Sequence, residues 1–196
     1  MKTYKVLREE IEKNIKKYEG YIDRFNQINE ADQELLDTAA YGSGKYVKLQ
    51  NKIVAYNNVI INIYTDVSTH LNKVENLNHL AGVSDSVDHI LKALEQKSEA
   101  VKSRMNGVRL FSLTYMDLER DLLNLSTSIK EYTDIAEDLK NIDKEAKKAE
   151  EEQDKKEFQE LLEEQKKALA PTQKVTTTQK KKADPVGKKT ETNKED

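Results

Sequence analysis

Apolar side chains recur at intervals of three and four residues along most of the chain, and this spacing places them on one face of an α-helix. The pattern predicts four long helices, at residues 3–37, 45–81, 86–106 and 114–142. The second is a heptad pattern sustained for about five heptads, which is typical of coiled coils and long helical bundles. The predicted core positions of these first two helices are Tyr4, Leu7, Ile11, Ile15, Tyr18, Ile22, Phe25, Ile28 and Leu35, then Tyr46, Leu49, Ile53, Tyr56, Ile60, Ile63, Val67, Leu71, Val74, Leu77 and Ala81.

Turn-forming and capping residues mark the ends of the later helices. Gly82 is predicted to end the second helix, and Asp85 to cap the third. The Asn-Gly pair at 106–107 is predicted to end the third helix. Thr114 followed by Asp117 fits a capping box at the start of the fourth. The core positions predicted for these two helices are Val87, Leu91, Leu94, Val101 and Met105, then Leu118, Leu122, Leu125, Ile129, Tyr132, Ile135, Leu139 and Ile142.

The stretch AYGSGKY, between the first two predicted helices, is similar in order to the loop that binds nucleotide phosphates. That loop has the pattern G-x-x-x-x-G-K-[ST] and follows a strand. When the pattern is aligned on Gly44, the chain has Ala39 at the first glycine and Tyr46 at the hydroxyl position, and the preceding sequence is helical in character. We therefore predict a hinge between two antiparallel helices, in which Gly42 ends the first and Ser43 caps the second.

The composition changes twice towards the C-terminus, and these changes predict three regions. Residues 1–142 form an antiparallel helical bundle, residues 143–170 a charged helical extension, and residues 171–196 a disordered tail rich in lysine and threonine. The predicted fold class is all-α: an elongated antiparallel bundle or coiled coil of three to four helices, with a long projecting C-terminal helix and a disordered tail.

Two groups of residues beyond the bundle are candidate partner-binding residues. One consists of the few large apolar residues of the charged extension, where no predicted helix remains to cover them. The other is a set of lysines in the tail, which contains neither arginine nor aromatic residues, so its binding to nucleic acid would be weak and salt-sensitive. The two groups are Phe158, Leu161, Leu162 and Leu169, and Lys180, Lys181, Lys182, Lys188 and Lys189.

Composition limits the chemistry that this chain can perform. It contains no cysteine, which excludes disulfides, thiolate metal sites and cysteine nucleophiles. Its formal net charge of −3 gives no overall attraction to nucleic acid or acidic lipid. The N-terminus becomes charged at once, and the most apolar run, VIINIY, is too short to span a membrane. We therefore expect no signal peptide and no membrane span, and a cytoplasmic location.

Three histidines are the only conventional metal ligands of the nitrogen type, and each has an acid four residues before it on a predicted helix. Such a pair shares a helix face and can hold a divalent metal. A di-metal helical bundle, however, has Glu-x-x-His on two helices, and that motif does not occur here. We predict surface ion pairs, with no metal and no cofactor. The pairs are Asp66 with His70, Glu75 with His79, and Asp85 with His89.

These features favour a non-enzymatic structural or interaction protein, such as a scaffold, adaptor or assembly factor, including one that serves viral or other macromolecular assembly. It would act on protein partners, or on copies of itself, through helical packing surfaces and the charged extension. The alternative is a protein that binds nucleic acid or another acidic surface through its basic tail. No G-x-S-x-G motif is present, and paired carboxylates in charge-rich helices are usually solvated, so we expect no catalytic activity.

Overall fold

The computed structural model describes residues 2–110 and 112–169, and these residues are helical apart from short connections. No strand occurs in the described ranges, which confirms the predicted all-α helical bundle. The predicted tail at 171–196 lies outside them. The elements are α1 (Lys2–Thr38), α2 (Gly44–Lys52), a π-helical turn (Ile53–Asn57), α3 (Asn58–Leu71), α4 (Leu77–Met105) and α5 (Leu113–Leu169).

The hydrophobic core is formed by the apolar faces of α1, α3, α4 and α5. The predicted stripe positions in the middle of these helices are buried or half-buried, as the intervals of three and four require. Three predicted core positions are exposed instead. Tyr4 and Leu35 lie near the two ends of α1, and Ala81 lies in the first turns of α4, beyond the turn that interrupts the second predicted helix. The buried apolar residues of this core are Leu7, Ile11, Ile15, Tyr18, Ile60, Ile63, Tyr64, Val67, Leu71, Val74, Leu80, Val87, Ile135, Ala136, Leu139, Ile142 and Ala146.

The hinge after α1 is only partly as predicted. α1 already ends at Thr38, so Gly42 does not end that helix but lies in the turn that leads into α2. Gly42 adopts φ +74°, in the left-handed region that glycine enters at little cost. The Ser43 hydroxyl accepts a hydrogen bond of 3.1 Å from the backbone N–H of Tyr46, which caps α2. The chain reverses here between two helices, and no strand precedes the loop within the described residues.

The helix predicted at 45–81 is interrupted, and this is a correction to the sequence analysis. α3 ends at Leu71, and α4 begins at Leu77 with Asn76 as its N-cap, whose side chain accepts from the backbone N–H of His79 at 2.9 Å. Gly82 and Asp85 therefore lie inside α4, and neither marks a helix end. The turn is held to α1 by the guanidinium of Arg8, which donates to the carbonyl of Val74.

The connection from α4 to α5 is partly as predicted. α4 ends at Met105 with Asn106 as its C-cap, as the Asn-Gly pair indicates. The hydroxyl of Ser112 accepts from the backbone N–H of Tyr115, so Ser112 caps α5 and the capping role predicted for Thr114 is wrong.

α5 has 57 residues and runs without interruption from the fourth predicted helix into the charged extension. The chain divides into two units, Met1–Phe158 and Gln159–Asp196. The described part of the second unit is the end of α5. The three regions predicted from composition, with boundaries at 142 and 170, stay predictions.

Candidate interaction surface

Three large apolar side chains near the end of α5 are exposed. Phe158 is 63% exposed, Leu161 58% and Leu162 40%. Their spacing of three and four residues places them on one face of the helix. We call this group the α5 apolar face. It comprises three of the four apolar residues predicted for partner binding; α5 ends at the fourth, Leu169, whose side chain lies outside those described.

The surroundings of the α5 apolar face are charged and exposed. Every residue from 154 to 167 is exposed, so within the described chain nothing covers this stretch. Acids and lysines alternate around it, and Gln153 donates a hydrogen bond to Glu157 one turn along. An apolar group enclosed by a charged rim is the usual arrangement of a protein-binding patch.

The earlier part of α5 is fixed to α1 and α3 by polar contacts, some of them buried, as well as by apolar packing. The hydroxyl of Tyr18 donates to the Asp138 carboxylate at 3.0 Å, and the ammonium of Lys17 donates to the same carboxylate at 2.7 Å. The hydroxyl of Tyr64 donates to the Glu131 carboxylate at 2.7 Å. Tyr18 and Tyr64 also pack against each other, with ring centroids 4.9 Å apart.

Burial and the adjacent carboxylates determine the ionisation of these tyrosines. Desolvation, followed by the negative charge of Asp138, raises the pKa of Tyr18 far above its usual value. Desolvation, followed by the hydrogen bond to Glu131, does the same for the pKa of Tyr64. Both phenols stay protonated and donate to carboxylates, of which Glu131 is buried and Asp138 half-buried. This part of α5 is therefore held rigidly by the bundle.

A second polar cluster joins α1 to the π-helical turn. Asp32 is buried, and its carboxylate accepts from the ammonium of Lys52 at 2.8 Å and from the amide of Asn57 at 3.1 Å. Next to it, the amide of Asn29 donates to Asn58 at 2.7 Å. π-Helical turns occur frequently at functional sites, but here the residues around the turn pair with one another and fix α1 against α3.

An open apolar groove of about 580 Å³ lies between α3 and α4, with Tyr132 of α5 in its wall. Burial and the nearby Asp66 carboxylate raise the pKa of Tyr132. The volume lies within the range of sites that bind small molecules. The groove residues are Asp66, Val67, His70, Lys73, Val74, Asn78, His79, Gly82, Val83, Ser86, Val87, Ile90 and Tyr132.

Of the three histidines, His70 lies on α3, and His79 and His89 lie on α4. The ring of His70 lies 3.6 Å from the Asp66 carboxylate and also contacts the Asp66 carbonyl. The ring of His89 contacts the carbonyl of Asp85 rather than its carboxylate. Among residues 2–110 and 112–169, no three side chains of the metal-binding types cluster together. The described helices likewise include none that is long and apolar enough to cross a bilayer.

The five lysines predicted to bind an acidic partner lie outside the described residues, and the structure does not bear on them. They are Lys180, Lys181, Lys182, Lys188 and Lys189.

Sequence reasoning found the α5 apolar face but missed the polar contacts that fix α5. The pairing of Tyr64 with Glu131 spans 67 positions, and neither residue type alone indicates it. The neighbours of Glu131 on its own helix face include Thr127, Ser128 and Asp138, so nothing in the sequence indicated its burial. Comparison with protein-family models, curated proteins and solved structures finds no match for this chain.

Proposed function

We propose that this chain is a non-enzymatic interaction protein, a scaffold, adaptor or assembly factor, that binds protein partners through the α5 apolar face. The observation that carries the proposal is the exposure of Phe158, Leu161 and Leu162 on one face of α5, within a stretch of that helix whose other residues are polar or charged. Burying one such side chain contributes about 1.5–3 kcal/mol. Three together provide a binding anchor of the kind that aromatic and aliphatic residues supply in helix-in-groove recognition.

The construction of the bundle supports this role. The buried contacts of α5 with α1 and α3 involve residues between Lys130 and Ala146, and they leave the stretch from 154 to 167 exposed. In each pair of tyrosine and carboxylate, the phenol hydroxyl of the tyrosine hydrogen-bonds to the carboxylate. This indicates a structural role for these ionisable residues. A helix fixed along one part and exposed along another is suited to presenting side chains to a partner.

A capture experiment tests the proposal. The full chain is immobilised as wild type, as Leu162→Asp and as Leu113→Asp, and proteins retained from a lysate of the source organism are quantified by mass spectrometry. Leu113 is a matched control because it is an exposed leucine of the same helix, far from residue 162 in sequence. We expect wild type and Leu113→Asp to retain the same proteins, and Leu162→Asp to lose them at least tenfold. Identical retention by all three chains contradicts the proposal.

The basic tail gives a second candidate function, binding to nucleic acid or another polyanion. Its support is the sequence: residues 171–196 hold seven lysines against four acids. Binding of this kind weakens steeply with salt. Retention on heparin is compared between the full chain and a chain that ends at residue 170. Loss of retention on truncation supports this function, and unchanged retention excludes it.

A further inference from the structure

The α5 apolar face has the spacing of a short two-helix interface. Positions 155, 158, 162 and 165 follow one another at three, four and three residues, which is the spacing of the core positions of a heptad. Phe158 and Leu162 occupy the two central positions, and Leu161 flanks them. Lys155 and Gln165 occupy the two outer positions. All five are exposed in the described chain, so each is free to pack on another helix.

We propose that the occupant of this face is the same face of a second copy of the chain, packed antiparallel about a two-fold axis. This inference rests on the proposed function and identifies its partner. In the antiparallel arrangement, Phe158 of each copy packs against Leu162 of the other, which gives two equivalent apolar layers. Leu161 lies beside the axis, next to Leu161 of the second copy. Such an interface is isologous, which means that both copies contribute the same surface patch.

The residues at the two outer positions, Lys155 and Gln165, determine whether the two helices pair parallel or antiparallel. In a parallel pair, equivalent positions meet, so Lys155 would face Lys155 of the second copy and two ammonium groups would be brought together. In the antiparallel pair, Lys155 faces Gln165, whose amide oxygen accepts a hydrogen bond from an ammonium. Like charges directly opposed weaken an interface, so the antiparallel direction is favoured.

The charges that flank the core agree with this direction. The antiparallel alignment brings Glu152 of each copy beside Lys166 of the other, at the edge of the apolar layers. Both side chains are exposed in the described chain. Two opposite-charge pairs related by the two-fold axis therefore border the interface. Flanking pairs of this type select partner and orientation in two-helix interfaces.

The size of the interface indicates a transient dimer. The stretch from 152 to 166 is about 22 Å long at ~1.5 Å per residue. An interface of this length with two apolar layers falls in the small class that is typical of weak, reversible association. We therefore expect a dimer that dissociates on dilution.

Sedimentation equilibrium of the full chain over a wide concentration range tests the dimer. We expect wild type and Leu113→Asp to show the same monomer-dimer equilibrium, and Leu162→Asp to weaken it at least tenfold. A circular-dichroism melt confirms that each variant is folded. A wild-type chain that stays monomeric at all concentrations overturns the inference. If that monomer still captures another protein through Leu162, the proposed function stands and only the self-pairing fails.

Single cysteines test the direction, because the chain has none of its own. Phe158→Cys and Leu162→Cys chains, which keep Lys155 and Gln165, are prepared separately and mixed under mild oxidation. Antiparallel pairing predicts a disulfide between the two different variants and little between two Phe158→Cys chains. A dominant disulfide between two Phe158→Cys chains indicates the parallel direction and overturns the antiparallel one.

Charge reversal tests the flanking pairs. Lys166→Glu places two acids side by side at each end of the interface, and we expect the dimer to weaken roughly tenfold at low salt. The double variant Glu152→Lys with Lys166→Glu restores opposite charges and should recover wild-type dimerisation. If the double variant is weaker than Lys166→Glu alone, Glu152 does not meet Lys166 and the alignment is wrong.

Discussion

The hydroxyl of Tyr64 on α3 donates a 2.7 Å hydrogen bond to the carboxylate of Glu131 on α5, and both side chains are buried. The only other hydrogen bond to this carboxylate in the described chain comes from the neighbouring Lys130. Burial of a carboxylate requires such partners, because an unpaired buried charge is strongly unfavourable. The position of α5 against α3 therefore depends on this pair as well as on apolar packing.

Removing the phenol hydroxyl should destabilise the bundle. Tyr64→Phe leaves the Glu131 carboxylate with one donor fewer, and we expect a loss of about 1.5–3 kcal/mol in the free energy of unfolding. Tyr41→Phe is the control, since Tyr41 is 89% exposed and should change stability by less than about 0.5 kcal/mol. Urea denaturation followed by circular dichroism measures both. Equal stability of the two variants would show that the hydrogen bond contributes little.

Stability should fall in alkaline solution. The folded state raises the pKa of Tyr18 and Tyr64 above the value of 10 that a free tyrosine has. Above pH 10 the folded chain therefore binds more protons than the unfolded chain, so unfolding releases protons and rising pH favours it. The stabilisation is complete below pH 10 and declines as pH rises towards the folded-state pKa.

Denaturation midpoints between pH 8 and 11.5 check this dependence. We expect a flat profile to about pH 10 and a steep decline beyond it. The double variant Tyr18→Phe with Tyr64→Phe should be less stable at pH 8 but show a shallower alkaline decline. An unchanged slope in the double variant would assign the decline to other groups.

Replacing two of the glycines by alanine should change the stability of the chain in opposite directions. Gly42 has φ +74°, so Gly42→Ala should cost about 1–2 kcal/mol although a Cβ would meet nothing within 4 Å. Gly20 lies within α1, where a Cβ also meets nothing within 4 Å, so Gly20→Ala should stabilise the chain by about 0.5–1 kcal/mol. Thermal melts of the two variants measure both changes. A stabilising Gly42→Ala would contradict the left-handed hinge.

The stability that the cluster around Asp32 provides should depend more on the Asp32 carboxylate than on the Lys52 ammonium. Asp32→Ala leaves the buried amide of Asn57 without its partner and should cost about 1–3 kcal/mol. Lys52→Ala leaves the buried Asp32 carboxylate with the Asn57 amide as its remaining donor. Because Lys52 is half exposed, water can replace its ammonium, and we expect a smaller loss of about 1 kcal/mol. Chemical denaturation of the two variants gives the comparison. A larger loss from Lys52→Ala would reverse this assignment.

Periodicity was sufficient to predict the helices but not all of their ends. Val74 and Leu77 continue the intervals of three and four across the turn at 72–76, so the apolar pattern contains no sign of the break there. The available signal was Asn76, a residue type that favours N-caps. Gly82 was wrongly predicted to end a helix because glycine is only one of several requirements for an end.

The contacts between helices were less accessible to prediction. Asn57 and Asn58 lie beside the second predicted stripe, but their partners Asp32 and Asn29 follow only from the alignment of α1 with the turn. The α5 apolar face was predictable because exposure there needs no knowledge of tertiary contacts: Phe158, Leu161 and Leu162 stand within a highly charged segment.

The π-helical turn at Ile53–Asn57 changes the rotational phase between α2 and α3. Each residue of an α-helix advances by about 100°, and the wider turn absorbs one residue more than a regular helix would. Deleting one residue from this turn would let α2 and α3 join as a single α-helix without shortening either. Lys52 lies before the turn and Tyr64 after it, so the joined helix, rotated by about 100°, could direct Lys52 towards Asp32 or Tyr64 towards Glu131, but not both. This chain therefore depends on an irregular turn for the simultaneous fit of its two polar clusters.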